Sequence, residues 1–287
     1  MTFGYPEKVV RFLTMAAVVL ALVAGSRAFA QQDEDAWRDH VMRALNEAGA
    51  KDYGKSEQSF LAAVKEAEKF GAEDPRVGTT LNSLGLVYRA EKKYADAETA
   101  YRKALAILLK SYGVDSMDVA NVNFNIARVM FDQGHQAAAM PFLQRTLVTY
   151  ENILGSNAGK TASVLCMLGD IHRLAKDYQA AESPLKRCAD IREANGGMQS
   201  NDMADALYSL ALAYIGEGKY ALAEPRLTLV EKIREQTLGI MSPVLAETFE
   251  QHATLLRQLG RDKDAEKLST MAAAIRRNAN DATSAKK

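Results

Sequence analysis

The amino-acid sequence predicts an all-α fold, a solenoid built from about six antiparallel helix pairs. Two observations carry that reading. Small residues recur every 42 positions: Ala97, Ala139, Ala181, Ala223 and Ala265 share one phase, and Gly85, Ala127, Gly169, Ala211 and Ala253 share another. Within each period the apolar residues have helical spacing. Leu81, Leu84, Gly85 and Tyr88 fall at i, i+3, i+4 and i+7, and Ala97, Tyr101, Ala104 and Leu108 follow the same face logic. Gly or Ala on the first helix and Ala on the second let two backbones approach closely. One such hairpin cannot bury both of its apolar faces, so hairpins must stack on one another.

The first thirty residues stand apart from this pattern. Lys8 and Arg11 form a short positive region, the uncharged run Phe12 to Gly25 follows, and Ala28 and Ala30 place small side chains at −3 and −1 before Gln31. The expectation is a cleavable signal peptide over residues 1–30, cut after Ala30. Its apolar run is shorter than the roughly 20 residues that span a bilayer, which argues against a retained anchor. The mature chain is therefore expected to be exported, periplasmic or secreted, with no stable membrane span after cleavage.

The solenoid is expected over residues 31–279, in repeats of approximately 36–77, 78–119, 120–161, 162–203, 204–245 and 246–279. The first repeat is irregular: Trp37, Val41, Leu45 and Ala48 precede Phe60, Ala63, Val64 and Ala67, and its Tyr53 to Glu57 segment is one residue out of phase. Inside a repeat, Lys92-Lys93-Tyr94 leaves room only for a tight helix–helix connection. Between repeats, the loops Gly113 to Asp118, Gly155 to Lys160, Gly196 to Asp202 and Gly239 to Pro243 each open on the Gly expected of a helix stop. The last helix, Lys263 to Asn278, carries a polar outer face suited to a cap, and residues 280–287 read as a disordered tail.

Chemistry was sought in the same pattern. The 36 basic and 36 acidic residues cancel, and no clustered basic face points to nucleic acid. Gly155-Ser156-Asn157-Ala158-Gly159-Lys160-Thr161 approximates a phosphate-binding loop but has three residues between its glycines where four are required. His40, His135, His172 and His252 lie in different repeats without metal-ligand spacing, and His172 and His252 take apolar repeat positions, as core histidines would. No nucleophile setting is recognisable. The expectation is no catalytic residue, no metal and no cofactor. Export makes a disulfide between Cys166 and Cys188 chemically accessible. Their phases favour two thiols, because side chains at those positions should diverge.

The recurring segments Lys93-Tyr94-Ala95-Asp96-Ala97-Glu98, Asp177-Tyr178-Gln179-Ala180-Ala181-Glu182 and Lys219-Tyr220-Ala221-Leu222-Ala223-Glu224 resemble the tetratricopeptide repeat. The 42-residue spacing is similar to the longer repeats of kinesin light chains. The family signature falls on Leu84, Gly85, Tyr88, Tyr94, Ala97, Tyr101 and Ala104, with departures at Gln136, His172 and His252. The resemblance implies a right-handed superhelical solenoid that binds other proteins without catalysis, its first helices lining a concave groove.

Carried onto this sequence, the inner positions include Asn82, Arg89, Asn121, Phe124, Asn125, Arg128, Phe131, Asp170, Arg173 and Tyr208. Asp205 and Glu247 share that face. Phe124 and Phe131 stand seven residues apart with Arg128 between them, on the face opposite Ile126, Ala127 and Met130. Aromatic and arginine side chains commonly carry binding energy, so this trio marks the groove for a peptide or partner helix, expected to come from the cell envelope. The alternatives are a self-associating subunit that forms a homodimer, and an accessory subunit that binds carbohydrate in the cell envelope.

Overall fold

The computed structural model describes residues 31–196 and 199–284. The leader expected over residues 1–30 lies outside the described residues, as do residues 285–287. Twelve helices among the described residues pack as consecutive antiparallel pairs, about six repeats. Helix α1 covers residues 31–49. It is followed by α2 (Tyr53–Glu68), α3 (Pro75–Ala90), α4 (Tyr94–Tyr112), α5 (Met117–Asp132) and α6 (Gln136–Leu154). Then come α7 (Gly159–Leu174), α8 (Tyr178–Ala194), α9 (Asn201–Gly216), α10 (Tyr220–Leu238), α11 (Pro243–Gln258) and α12 (Asp262–Ser284). The chain forms two compact bodies, one up to Val129 and one from Met130.

In the N-terminal body, α3 starts where the Asp74 side chain accepts the Arg76 N–H at 2.9 Å and Pro75 takes the first helical position. That position has no intrahelical use for an N–H, so proline is well placed there. Ala44, Phe60, Leu84 and Val87 form a core with Val41, Tyr53 and Leu81 packed against it. Trp37 of α1 donates its Nε1–H to Thr80 of α3 at 3.0 Å, joining the irregular first repeat to the second. A Cβ at Gly85 would stand 2.5 Å from the buried Tyr101 ring, so glycine is required for α3 and α4 to meet as they do.

The C-terminal body uses the same device with a different partner. A Cβ at Gly169 would fall 2.4 Å from Leu185, which occupies the Tyr101 position two repeats later. Ala162, Leu165, Cys188, Leu207, Val230 and Ile233 make one core cluster. Leu185, Leu210, Tyr214, Leu227 and Leu255 make the next, and Leu245, Phe249, Ala272 and Ile275 close the body.

Each turn inside a helix pair has one geometry. The second residue after the first helix adopts positive φ at Lys92 (62°), Gly134 (81°), Lys176 (62°), Gly218 (74°) and Gly260 (71°), all on the 42-residue phase. The following N–H reaches back five residues, as from Lys93 to the Tyr88 carbonyl at 2.8 Å. This is the Schellman closure of a helix end. In the first repeat the residue is Lys51 (φ 61°), one position out of phase, where the one-residue length change was expected. The tail expectation is corrected in part: α12 runs through residues 280–284, because neither Gly nor Pro interrupts it before Ser284.

Candidate partner-binding surface

Six of the expected inner residues belong to the N-terminal body. Asn82 and Arg89 lie on α3, and Asn121, Phe124, Asn125 and Arg128 on α5. Asn125 is only 7% exposed, and its Nδ2 donates to Asn82 Oδ1 at 2.9 Å. That bond ties α3 to α5, so this amide pair acts first as a helix tie. Phe124 is half-buried, and the Arg128 guanidinium lies over its ring, 5.7 Å from the centroid. A cation at that height is attracted by the ring quadrupole. The aromatic and the arginine of the expected trio therefore form one stacked unit.

In the C-terminal body, Phe131 and Asp170 line a common cavity of about 210 Å³. Cys166 and Met167 of α7, Arg192 of α8, and Asp202 and Asp205 of α9 complete the wall that matters chemically. Arg173 does not enter it. Its Nη2 stands 2.9 Å from Asp170 Oδ1 on the same helix, so the pair is neutralised locally. Tyr208 lies beside this region, with its hydroxyl donating to Glu247 at 3.1 Å and its ring under the Arg234 guanidinium, 4.5 Å from the centroid. Burial, reinforced by the Glu247 carboxylate, pushes the Tyr208 phenol well above its ordinary range.

The free-thiol expectation is overturned. Cys166 and Cys188 are joined, with their Cα atoms 5.4 Å apart. Ala162 and Ala189 in the shared core, with Gly169 under Leu185, bring α7 and α8 so close that the phase difference between the two cysteines is absorbed at the contact line. Cys188 is fully buried, while half-buried Cys166 faces the cavity.

One set of charged residues escaped the sequence reading because it sits on the second helices. Arg192, Arg234 and Arg276 are 42 residues apart, where Leu108 and Tyr150 occupy the same phase earlier in the chain. Arg234 is 4% exposed; it donates through Nη1 to Thr248 at 2.6 Å and through Nη2 to Asp205 at 2.7 Å. Arg192 stands 3.4 Å from Asp202, and Arg276 pairs with Glu250. The signal was present in the spacing, but the phase looked like a core position.

The remaining polar expectations separate. His252 is buried, with Nδ1 2.6 Å from Glu231. His172 is not a core residue: it is half-buried and turns outward toward Asp177 at 3.6 Å, since position 172 lies in the last turn of α7. Around Gly155 the chain makes a connection between α6 and α7, and Gly155 caps α6 with φ 91°. A phosphate loop would follow a strand there. Among the described residues, no group of three or more His, Cys, Asp or Glu is placed to hold a metal ion. No described helix is long and apolar enough to cross a membrane.

Equal helix pairs, closed by one turn geometry and spaced by small residues, define a helical-repeat protein. The chain belongs to the tetratricopeptide repeat family, whose model matches residues 40–110, 77–152 and 118–194. Members of that family are typically protein-binding scaffolds and usually non-catalytic. The chain is similar to the clustered mitochondria protein homolog of Neosartorya fischeri, 25% identical over 145 residues, which are 50% of this chain and 11% of that protein. The match thus spans a small part of a much longer relative. Among solved structures, BtubC (BKLC) from P. vanneervenii has a TM-score of 0.66 at 22% identity, covering 79% of this chain and 92% of that one. A Podosopora anserina putative kinesin light chain with nearly identical TPR-like repeats has a TM-score of 0.60 at 18% identity, over 70% of this chain and 95% of that one. A Rap protein complexed with competence and sporulation factor has a TM-score of 0.55 at 20% identity, over 85% of this chain and 75% of that one. At these identities the likeness is one of fold.

Proposed function

We propose that this chain is an exported, non-catalytic scaffold that binds a peptide or partner helix on the inner face of its first helices. The observation that carries the reading is the cavity at Phe131, Asp170 and Asp205. All three are inner-face residues by repeat phase, on three different helices, and they converge on one concave site. A cleft combining an aromatic with charged groups is suited to recognising side chains. The Rap structure, which holds a bound factor, supports the use of this fold for ligand capture. The linked Cys166 and Cys188 support export, since disulfides persist in oxidising compartments. The signal-like pattern of residues 1–30 supports it independently.

The test is capture of partners from the envelope fraction by the tagged mature chain, compared with a Phe124→Ala, Arg128→Ala, Phe131→Ala variant. The expected result is at least a tenfold loss of captured protein at unchanged helicity, the size of effect that aromatic and arginine anchors carry. Equal capture by both would overturn the assignment of the site.

A further inference from the structure

Size sets the first limit on what the cavity between α7 and α9 receives. At about 210 Å³ it is smaller than the roughly 300–1,000 Å³ of sites that enclose a whole small molecule. It has room for one long side chain. Phe131, Met167 and Cys166 supply apolar lining. A methylene stem gains from such a wall while its polar end stays solvated or paired.

Charge sets the second limit. Three carboxylates line the cavity, Asp170, Asp202 and Asp205, against one guanidinium, Arg192. The cations that balance the other two carboxylates lie outside the wall: Arg173 holds Asp170, and Arg234 holds Asp205. Two of the three pairs are layered. Side-chain exposure is 81% for Asp202 and 66% for Asp205, but 16% for Arg192 and 4% for Arg234. In these two pairs the arginine lies beneath and the carboxylate stands at the surface, whereas Asp170 and Arg173 are about equally exposed, at 25% and 20%. Arg173 and Arg234 take Oδ1 of their partners, which leaves Oδ2 of Asp170 and Asp205 as an acceptor held in a fixed orientation. An incoming anion would meet three carboxylates; an incoming cation would meet acceptors already positioned, with little side-chain entropy left to lose.

We propose that this cavity binds a single lysine or arginine side chain of the partner polypeptide, its stem against Phe131 and Met167 and its charge among Asp170, Asp202 and Asp205. The inference rests on the polypeptide-binding reading above and adds the chemistry of the anchor.

The experiment is selection of phage-displayed random dodecapeptides on the full mature chain, followed by titration of the selected sequences as fluorescent synthetic peptides. The expected pool shares one Lys or Arg beside apolar residues. Replacing that residue by Glu should abolish binding. Asp202→Asn, which leaves Arg234 paired with Asp205, should weaken binding about tenfold, as loss of a charge-assisted contact does. Circular dichroism checks that the variant is folded. Selected peptides that share acidic or purely apolar residues, or that bind Asp202→Asn as tightly as the parent, would overturn the inference and leave the polypeptide-binding reading standing. So would a dimer in light scattering whose formation competes with the peptides, since the cavity's occupant would then be a second copy. A selection yielding no binding peptide would remove both readings.

Discussion

Leu108 in the N-terminal body and Arg234 in the C-terminal body stand on the same repeat phase, three periods apart. Leu108 is 1% exposed and Arg234 is 4% exposed, so both are core residues by burial. Their surroundings differ. Leu108 packs where the Cβ of a residue at Gly78 would lie 2.8 Å from its Cγ, in a wholly apolar contact. Arg234 instead joins α9, α10 and α11 through Asp205, Tyr208 and Thr248. A buried leucine contributes its transfer and packing energy directly. A buried arginine first loses its hydration, and its paired contacts do little more than return that loss. Leu108, like Tyr150 one period on, thus uses this phase for core packing, while Arg192, Arg234 and Arg276 use it to pair with carboxylates.

The largest expected effect follows from that contrast. Leu108→Ala should destabilise by about 4 kcal/mol in urea denaturation, the usual range for emptying a tight core site. The paired change Arg234→Met with Asp205→Ala should shift stability by less than about 1 kcal/mol, because the charge and its partner leave together. If the two sites respond equally, the distinction between them fails.

A second difference is covalent. Cys166 and Cys188, 22 residues apart, cross-link α7 to α8, whereas no cysteine lies in the N-terminal body. Replacing both by Ser should cost about 3 kcal/mol on the loop-entropy account. Hydrogen exchange should localise the loss to α7, α8 and α9 and leave α3 and α4 protected as before. Faster exchange throughout the chain would show that the two bodies unfold as one.

The smallest effect sharpens a likeness between the bodies. Lys92 in one and Lys176 in the other adopt the left-handed conformation that Gly134, Gly218 and Gly260 occupy on the same phase. A non-glycine residue there costs roughly 1–2 kcal/mol, offset in part by its lower chain entropy when unfolded. Lys92→Gly and Lys176→Gly should each raise stability by about 0.5 kcal/mol, read from the urea midpoint. A loss at either position would show that the lysine side chain contributes more than its backbone strain removes.

Much of this molecule was legible from spacing. The period of 42 locates the helix pairs, the small residues at Gly85 and Gly169, and even the slip in the first repeat that reappears at Lys51. The reason is local and periodic: an apolar stripe can face only one way on a helix, and a stacked hairpin must bury two of them. Phe131, Asp170 and Asp205, which share a repeat face in the sequence, line one cavity. What each side chain does there was decided only by the tertiary structure. The amides of Asn82 and Asn125 are joined as a tie between helices, and Arg173 turns to Asp170 on its own helix. Cys166 meets Cys188 across a closer helix contact than their phases suggest. Phase states which side of a helix a residue occupies. It does not state how near the next helix comes, and at the few ångströms over which hydrogen bonds, ion pairs and disulfides form, that distance selects the partner.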